Sequence, residues 1–330
     1  MFYSFIIPLY NRPDEIKELL DSLLLQTMQN FEVVIIEDGS DIKSDKIAEQ
    51  YSDKLDIQYF FKENEGQGFT RNYGMKRAKG DYFIILDSDC ILPTHYLETA
   101  DKEIKSRKLD IYGGPDAAHP SFTPIQKAIS YSMTSLFTTG GIRGKKKHVG
   151  VFHPRSFNMG VSREVFEKTG GFKITRMGED LEWSIRIQES GFKSGLIEEA
   201  YVYHKRRTDF KRFFNQLYFF GRARINVSYF YPKTLKIIHF FPLIFLSGAV
   251  FSILLLFIFP VPALFLVAAY GVYTLLIWMD SLRQTQSFQI SLLSIITSWI
   301  QLTAYGLGFL HEFWKRKILR KENNIDYYPQ

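Results

Sequence analysis

The chain has 330 residues, 46% of them hydrophobic, and its 41 Lys and Arg exceed its 35 Asp and Glu to give a net charge of +6. This composition excludes a disordered chain and is sufficient for a large core, while the mild basic excess suits an anionic membrane surface or phosphorylated substrates. The single cysteine, Cys90, excludes an intrachain disulfide and indicates a reducing compartment, and no motif indicates nucleic-acid binding.

The N-terminal part of the sequence alternates between apolar strands and amphipathic helices. Residues 2–9 read as a buried strand with no signal peptide before it, a helix begins near Pro13, and residues 31–36 form the next strand. A helix at 45–51 and a strand at 57–61 continue the series. Alternation at this spacing predicts an α/β fold with a doubly wound, mainly parallel sheet.

A glycine-rich loop at 64–74 opens the next helix, and residues 82–86 then form an apolar strand that ends in Asp87, Ser88 and Asp89. In open α/β sheets, ligands bind at the carboxyl ends of the strands. Two neighbouring carboxylates repel each other unless a cation neutralises them, and hard divalent cations prefer oxygen ligands. The pattern therefore predicts a metal that carries phosphates, although an Asp-x-Asp can also simply cap a helix.

The region after residue 110 is less regular. Residues 138–149 include Lys145–His148 and have no periodicity, which predicts a basic loop that is either a solvated surface or closes over an anionic substrate. The other predicted elements are strands at 111–114 and 156–161 and helices at 124–137, 163–168 and 179–189.

Three long apolar stretches near the C-terminus are each long enough to cross about 30 Å of hydrocarbon. They predict a membrane-attachment region after a soluble domain. The domain boundaries are 1–225 and 226–330, and the apolar stretches are 237–259, 261–279 and 290–310.

The charges that flank these stretches conflict with three full spans. Basic residues are dense before Ile237 and again at 315–321, so both flanks favour the cytoplasmic side, whereas three spans place them on opposite sides. Either one stretch is re-entrant or interfacial, or the tail departs from the rule. Just before the first stretch, residues 205–224 carry a Phe-rich face, which fits a helix on a membrane surface or an ordinary core helix.

Five motifs in order resemble family 2 glycosyltransferases with the GT-A fold, a Rossmann-like α/β fold. The resemblance covers roughly residues 1–220, and the apolar stretches are similar to those of bacterial members that build exopolysaccharide and capsule on lipid carriers. The motifs are Ile6–Arg12, Glu37–Ser40, Asn64–Gly74, Asp87–Asp89 and Gly178–Asp180.

The resemblance implies a membrane-attached, metal-dependent, inverting transferase that moves a sugar from a nucleoside diphosphate to a lipid-linked glycan in surface polysaccharide biosynthesis. It also implies a place in the bacterial inner membrane with the catalytic domain on the cytoplasmic side. Transfer to polyprenyl phosphate is an alternative within the enzyme class. An inactive nucleotide-binding scaffold is the alternative outside it, and a transporter is disfavoured because the apolar stretches contain no charged residue.

The resemblance also implies a donor site. Asp38 would bind the nucleoside, usually uridine or guanosine, Tyr10 could stack on the base, and Arg71 at a helix start suits phosphate. Pro8 and Asn11 could instead merely end the first strand. The implied donor-binding residues are Pro8, Tyr10, Asn11, Arg12, Asp38, Arg71, Asp87, Ser88 and Asp89.

Asp89 is expected to bind the metal, Mg²⁺ or Mn²⁺, and the resemblance adds His204, which could equally be structural. Asp180 is expected to be the general base that takes the proton of the acceptor hydroxyl. Glu179 beside it, with Asn158 and Trp183, is expected to line the acceptor site, although an acidic pair can also only decorate a helix start.

The chain departs from processive synthases in one motif. It lacks the Gln-x-x-Arg-Trp pattern after the expected base and has Phe219–Arg222 in that region. This difference puts polymer extrusion in doubt.

Overall fold

The computed structural model describes residues 1–140 and 152–320, which form two compact units. The first unit comprises residues 1–119 and 152–205 of the described chain, and the second comprises residues 120–140 and 206–320. The basic loop predicted at 138–149 lies outside the described residues from residue 141 on.

The first unit contains all ten strands of the described chain. They are β1 (Tyr3–Leu9), β2 (Phe31–Asp38), β3 (Ile57–Lys62), β4 (Tyr82–Leu86), β5 (Cys90–Ile91), β6 (Ile111–Gly113), β7 (Asp116–Ala117), β8 (Asn158–Ser162), β9 (Ser194–Leu196) and β10 (Val202–His204).

Twelve α-helices are formed by the described residues. They are α1 (Pro13–Leu24), α2 (Asp45–Glu49), α3 (Gln67–Arg77), α4 (Tyr96–Arg107), α5 (Pro124–Thr134), α6 (Leu136–Thr139), α7 (Arg163–Thr169), α8 (Glu179–Glu189), α9 (Phe210–Phe230), α10 (Phe241–Leu255), α11 (Pro260–Thr285) and α12 (Phe288–Phe313).

The strands form a seven-stranded sheet in the order β3-β2-β1-β4-β8-β6-β9 and a three-stranded sheet in the order β5-β10-β7. In the larger sheet, β8 runs antiparallel to both neighbours and the other pairings are parallel. The predicted α/β fold with a mainly parallel sheet is therefore confirmed.

The central strands are buried on both faces. Phe5 and Ile7 of β1 pack into one hydrophobic core, whereas Ile6 between them packs into the core on the opposite face. Burial on both sides explains why β1, β2 and β4 read as continuous apolar runs instead of alternating patterns.

The second unit is helical and includes α5, which lies far from the other helices in the sequence. The division at Lys205 and Arg206 thus differs from the domain boundary predicted at residue 225, because α9 packs with the later helices. Three helical stretches of the described chain are long and apolar enough to cross a membrane, namely Ile237–Leu255, Pro260–Thr285 and Phe288–Ile318.

Helix α9 packs closely against α12 through glycines. A Cβ atom on Gly221 would lie 2.1 Å from the carbonyl oxygen of Tyr305, and one on Gly308 would lie 2.0 Å from that of Tyr218. Phe213 on the same helix is fully buried in this contact. Phe213 and Leu217 of the Phe-rich face of α9 are therefore core residues, whereas Phe210, Phe214 and Tyr218 are partly exposed.

Candidate functional site

The carboxyl ends of the central strands bring the acidic motifs together. Asp38 is the last residue of β2, while Asp87 and Asp89 follow β4 directly. The short strand β10 pairs antiparallel with β5 and places His204 opposite Cys90. Residues that are distant in sequence therefore meet at one edge of the first unit.

Asp89 is the most constrained carboxylate of this edge. Its Oδ1 lies 3.0 Å from Nε2 of His204, and Arg12 donates a hydrogen bond to its Oδ2. Burial alone would raise the pKa of the Asp89 carboxyl, but the charges and hydrogen bonds of His204 and Arg12 outweigh burial and hold that pKa well below its usual range. The Asp89 carboxylate is thus charged and held in a fixed orientation.

The residues around Asp89 suit a divalent cation. Among the described residues, one group of metal-ligating side chains has its ligand atoms within 4.8 Å of one another, and it consists of Asp89, Cys90 and His204. Carboxylate oxygen with imidazole nitrogen is a donor set that transition metals such as Mn²⁺ accept. The donor chemistry therefore fits the predicted metal, and His204 lies beside Asp89 as the prediction requires.

The Arg71 side chain is buried and lies beside two carboxylates, and its predicted phosphate contact remains a prediction. Its side chain is only 1% exposed, with Nη2 2.7 Å from Oδ1 of Asp87 and Nη1 3.5 Å from Oε1 of Glu179. In this structure the guanidinium orients two carboxylates and does not face solvent. Ser88, between Asp87 and Asp89, is likewise buried.

Asp38 holds the glycine-rich loop in place. Its carboxylate accepts hydrogen bonds from the backbone N–H groups of Glu65 and Gly66, both at 3.0 Å, and from Nζ of Lys62 at 2.8 Å. Gly66 has φ of +87°, a backbone conformation that residues other than glycine rarely adopt. Lys62 was not predicted as a site residue, because it is simply the last residue of a strand.

The end of β1 forms a wall beside Asp38. Asn11, with φ of +52°, donates its backbone N–H to Oγ of Ser40, and its side-chain oxygen accepts the N–H of Ile42. Tyr10 is half exposed, whereas Pro8 is largely buried within the strand. Asn11 therefore has a structural function in joining two loops of the site edge.

The acidic pair lies at the start of α8, after Gly178 with φ of +99°. Glu179 is buried and accepts a hydrogen bond from Gln67. Burial and the negative charge of Asp180 raise the pKa of Glu179 to about 7, against the opposing charge of Arg71. One residue of the pair is thus enclosed by the protein.

Asp180 is the more accessible member of the pair. Its side chain is partly exposed, and its Oδ1 lies 3.4 Å from Nη1 of Arg155. Arg155 was missed by the sequence analysis because it lies in an irregular segment with no motif around it. The two carboxylates thus differ in accessibility, and the choice of Asp180 over Glu179 as the base remains a prediction.

Asn158 and Trp183 have core positions. Trp183 is fully buried, donates its indole N–H to Oγ1 of Thr169 at 2.8 Å, and packs on Phe172. Asn158 is also fully buried, with its amide group bound to Ala200. Their predicted contact with an acceptor remains a prediction, and these positions give it no support.

Comparison with known proteins gives matches that are consistent with this arrangement. The family model "Glycosyl transferase family 2" matches residues 4–170. An uncharacterized glycosyltransferase of Rickettsia typhi, RT0329, is 48% identical over 86 residues, which cover 26% of this chain and 26% of that protein. The uncharacterized glycosyltransferase EpsJ of Bacillus subtilis is 34% identical over 210 residues, 61% of this chain and 60% of EpsJ.

The matched segments are short, since they cover between 16% and 29% of the length of the rickettsial relatives. Among solved structures, the mannosyltransferase PcManGT from Pyrobaculum calidifontis, in complex with GDP-Man and Mn²⁺, has a TM-score of 0.61 at 15% identity. The match covers 95% of this chain and 87% of PcManGT. At this identity the likeness establishes the fold.

Proposed function

The chain belongs to glycosyl transferase family 2, and on this premise we propose that it is a membrane-attached, metal-dependent, inverting transferase that moves a sugar from a nucleoside diphosphate to a lipid-linked glycan. The observation that carries the proposal is the meeting of Asp87, Asp89 and His204 at one edge of the sheet. A catalytically silent scaffold would have no need for such a preoriented set of ligands.

The donor is a nucleoside diphosphate sugar, linked to uridine or guanosine. Asp38 at the end of β2 and the half-exposed Tyr10 after β1 are the residues proposed to hold the nucleoside. PcManGT, which shares the fold, was solved with GDP-Man and Mn²⁺, and this supports a nucleotide sugar with a divalent metal in the present chain. Arg12 beside Asp89 adds positive charge for the diphosphate.

Asp89 and His204 would hold the cation, Mg²⁺ or Mn²⁺. When bound, the cation supplies charge neutralisation for the departing diphosphate, which makes a protein acid unnecessary. Asp87 remains oriented by Arg71 and is free at its second oxygen, which lies 4.0 Å from Nε2 of His204. The chain thus contributes a fixed set of oxygen and nitrogen atoms on the donor side.

Asp180 acts on the acceptor side. Its carboxylate takes the proton of the acceptor hydroxyl while the new bond forms from that oxygen to the anomeric carbon and the bond to the diphosphate breaks. Arg155 orients the carboxylate. One displacement by one base inverts the configuration at the anomeric carbon.

The acceptor is a glycan on a polyprenyl diphosphate in surface polysaccharide assembly. The apolar helices of the second unit support a membrane-resident acceptor, since they keep the chain at the bilayer where such lipids are found. The chain is placed in the bacterial inner membrane with its catalytic unit on the cytoplasmic side, where nucleotide sugars are made.

A panel of UDP- and GDP-sugars, assayed with and without Mn²⁺ on the purified full chain, tests the proposal. Metal-dependent binding of one donor, with slow hydrolysis to free diphosphate that is lost in Asp180→Asn, is expected. Bare polyprenyl phosphate and a glycosylated diphosphate lipid are then compared as acceptors. Binding without turnover on any acceptor would point to the scaffold, and silence across the panel in folded protein would contradict the proposal.

A further inference from the structure

The hairpin of α10 and α11 ends in an entirely apolar turn. Between Lys236 and Asp280 the sequence contains no Lys, Arg, Asp or Glu. At the tip, Phe257 is 85% exposed and Ile258 is 67% exposed. A turn that emerged into water on the far side of a membrane would expose this surface at a cost of about 25 cal/mol per Å².

The backbone of this turn is suited to hydrocarbon. The N–H groups of residues 256–259 all donate to carbonyl oxygens of the preceding helical turn. Pro260 and Pro262 follow, and proline has no N–H that would require a partner. Backbone N–H groups that are already paired cost less to place in hydrocarbon than unpaired ones.

Helix α10 is the α-helical part of the apolar stretch Ile237–Leu255, and this part by itself is shorter than a full span. Its 15 residues correspond to about 22 Å at 1.5 Å per residue, against roughly 30 Å of hydrocarbon. It is closed on α11 by the hydroxyl of Tyr270, which donates to the carbonyl oxygen of Phe245 at 2.7 Å. A hairpin of this depth can end within the bilayer.

Helix α12 has an unusual distribution of polar residues for a membrane span. Thr297 of its buried face donates to the carbonyl oxygen of Ala128 in α5 at 3.0 Å. The buried polar residues are Ser291, Ser294, Thr297, Ser298, Gln301 and Glu312. The exposed residues between the two ends of the helix are apolar and comprise Leu292, Ile296, Leu307 and Leu310. An apolar outward face with a polar face against protein occurs in bundled spans and in interfacial helices, and the charges of α9 distinguish the two.

The positively charged residues of α9 exclude a position in the hydrocarbon core for the middle of α12. Phe213 of α9 and Ala304, near the middle of α12, lie in one hydrophobic cluster, and the preceding residues Lys211 and Arg212 are exposed. If α12 crossed the bilayer, these cations would lie deep in hydrocarbon at about 3 kcal/mol each. In an interfacial arrangement they reach the headgroups.

Buried ion pairs hold the basic tail beside α9. Glu312 is fully buried, with Arg222 Nε 2.9 Å from its Oε2 and Arg316 Nε 2.9 Å from its Oε1. Arg316 also donates to the side chain of Asn226 on α9. The segment that follows α12 is thus fixed to the helix that precedes the first apolar stretch.

We propose that the second unit inserts into one leaflet and crosses the membrane nowhere. The α10–α11 hairpin enters and returns on the same side, and α12 lies in the interface. Both basic flanks then share one side, which removes the conflict with the distribution of positive charge. The proposal does not depend on the reaction or on the donor.

Single-cysteine labelling of the full chain in sealed vesicles of known orientation tests this topology. The parent chain is the blank, because its one cysteine, Cys90, is buried. Lys233→Cys and Lys317→Cys, both at exposed positions, are expected to react with a membrane-impermeant maleimide from the same face. Ile258→Cys at the tip is expected to react from neither face, and a fluorophore placed there is expected to be quenched by lipids labelled in mid-chain.

Labelling of Lys317→Cys from the opposite face would establish three spans and overturn the proposal. Labelling of Ile258→Cys from the opposite face would show that the hairpin crosses and would overturn it as well. Release of the chain from the vesicles by alkaline extraction would mean that a second copy of the chain, instead of lipid, covers the apolar face. That result would also overturn the proposal. Phe257→Cys and Leu319→Cys replace any variant whose thermal unfolding differs from that of the parent.

Discussion

Nε2 of His204 lies 3.0 Å from Oδ1 of Asp89, although the two residues belong to segments that are far apart in the chain. Antiparallel pairing of β10 with β5 produces this contact. The imidazole ring is held by stacking on Phe157, with 5.0 Å between the ring centroids. An imidazole nitrogen beside a carboxylate shifts a site from Mg²⁺ toward transition metals such as Mn²⁺.

Replacement of the imidazole should therefore change the metal requirement. We expect His204→Ala to raise the Mn²⁺ concentration for half-maximal activity by about 10- to 100-fold, since even residues that support metal ligands have effects of this size. The measurement is a metal titration of donor hydrolysis. His95→Ala is the matched control, because the His95 side chain is exposed just before α4. An unchanged Mn²⁺ requirement would show that His204 is structural.

The two members of the acidic pair should differ in catalysis. Asp180→Asn is expected to lower kcat by about 10²- to 10⁴-fold, the usual contribution of a general base, while the donor Kd stays near that of the parent. Glu189→Gln, at an exposed position of the same helix, is the control. The check is turnover together with donor binding, and full activity of Asp180→Asn would exclude it as the base.

The sheet and its acidic edge were predictable because their signals are local. The apolar runs of β1, β2 and β4 each end in a polar motif, and parallel strands place such ends together. The burial of Arg71 was not predictable, because its partners Asp87 and Glu179 become neighbours only through tertiary packing. A guanidinium at a helix start reads equally well as a phosphate ligand.

Long-range packing also explains the other differences. Trp183 and Asn158 sit near motifs in sequence, yet neighbouring elements enclose both. The antiparallel direction of β8 follows from the return of the chain after a long excursion, which strand propensity does not encode. The Phe face of α9 could be a membrane or a core surface until Gly221 and Gly308 reveal its close contact with α12.

Glu179 should make stability depend on pH. Its pKa rises from 4.5 to about 7 on folding, so between these values the unfolded chain releases a proton that the folded chain keeps. The free energy of unfolding therefore falls as pH rises through this window, by at most about 1.4 kcal/mol per pH unit for this group. Glu179→Gln removes the titrating carboxyl and with it this fall in the free energy of unfolding.

The stability of Glu179→Gln relative to the parent is thus expected to increase from pH 5 to pH 8. Thermal unfolding of both chains across this range measures the difference, in which the titration of all other groups cancels. Glu189→Gln, an exposed carboxylate of α8, should show a constant difference. A constant difference for Glu179→Gln as well would mean that Arg71 keeps Glu179 ionised in the folded chain.

Replacement of the glycines at the α9–α12 contact should destabilise the chain. Replacement of a glycine elsewhere in the apolar helices should not. A Cβ atom on Gly308 would lie 2.0 Å from the carbonyl oxygen of Tyr218, so Gly308→Ala must push the two backbones apart. Gly271 in α11 has no other atom within 4 Å of a Cβ atom built at its position.

Gly308→Ala is expected to destabilise the chain by about 1–3 kcal/mol, the usual cost of overpacking. Gly271→Ala should be neutral or stabilising by up to about 1 kcal/mol, because alanine favours the helix. Thermal unfolding in detergent compares the two, and equal melting temperatures would show that α9 and α12 do not pack this closely.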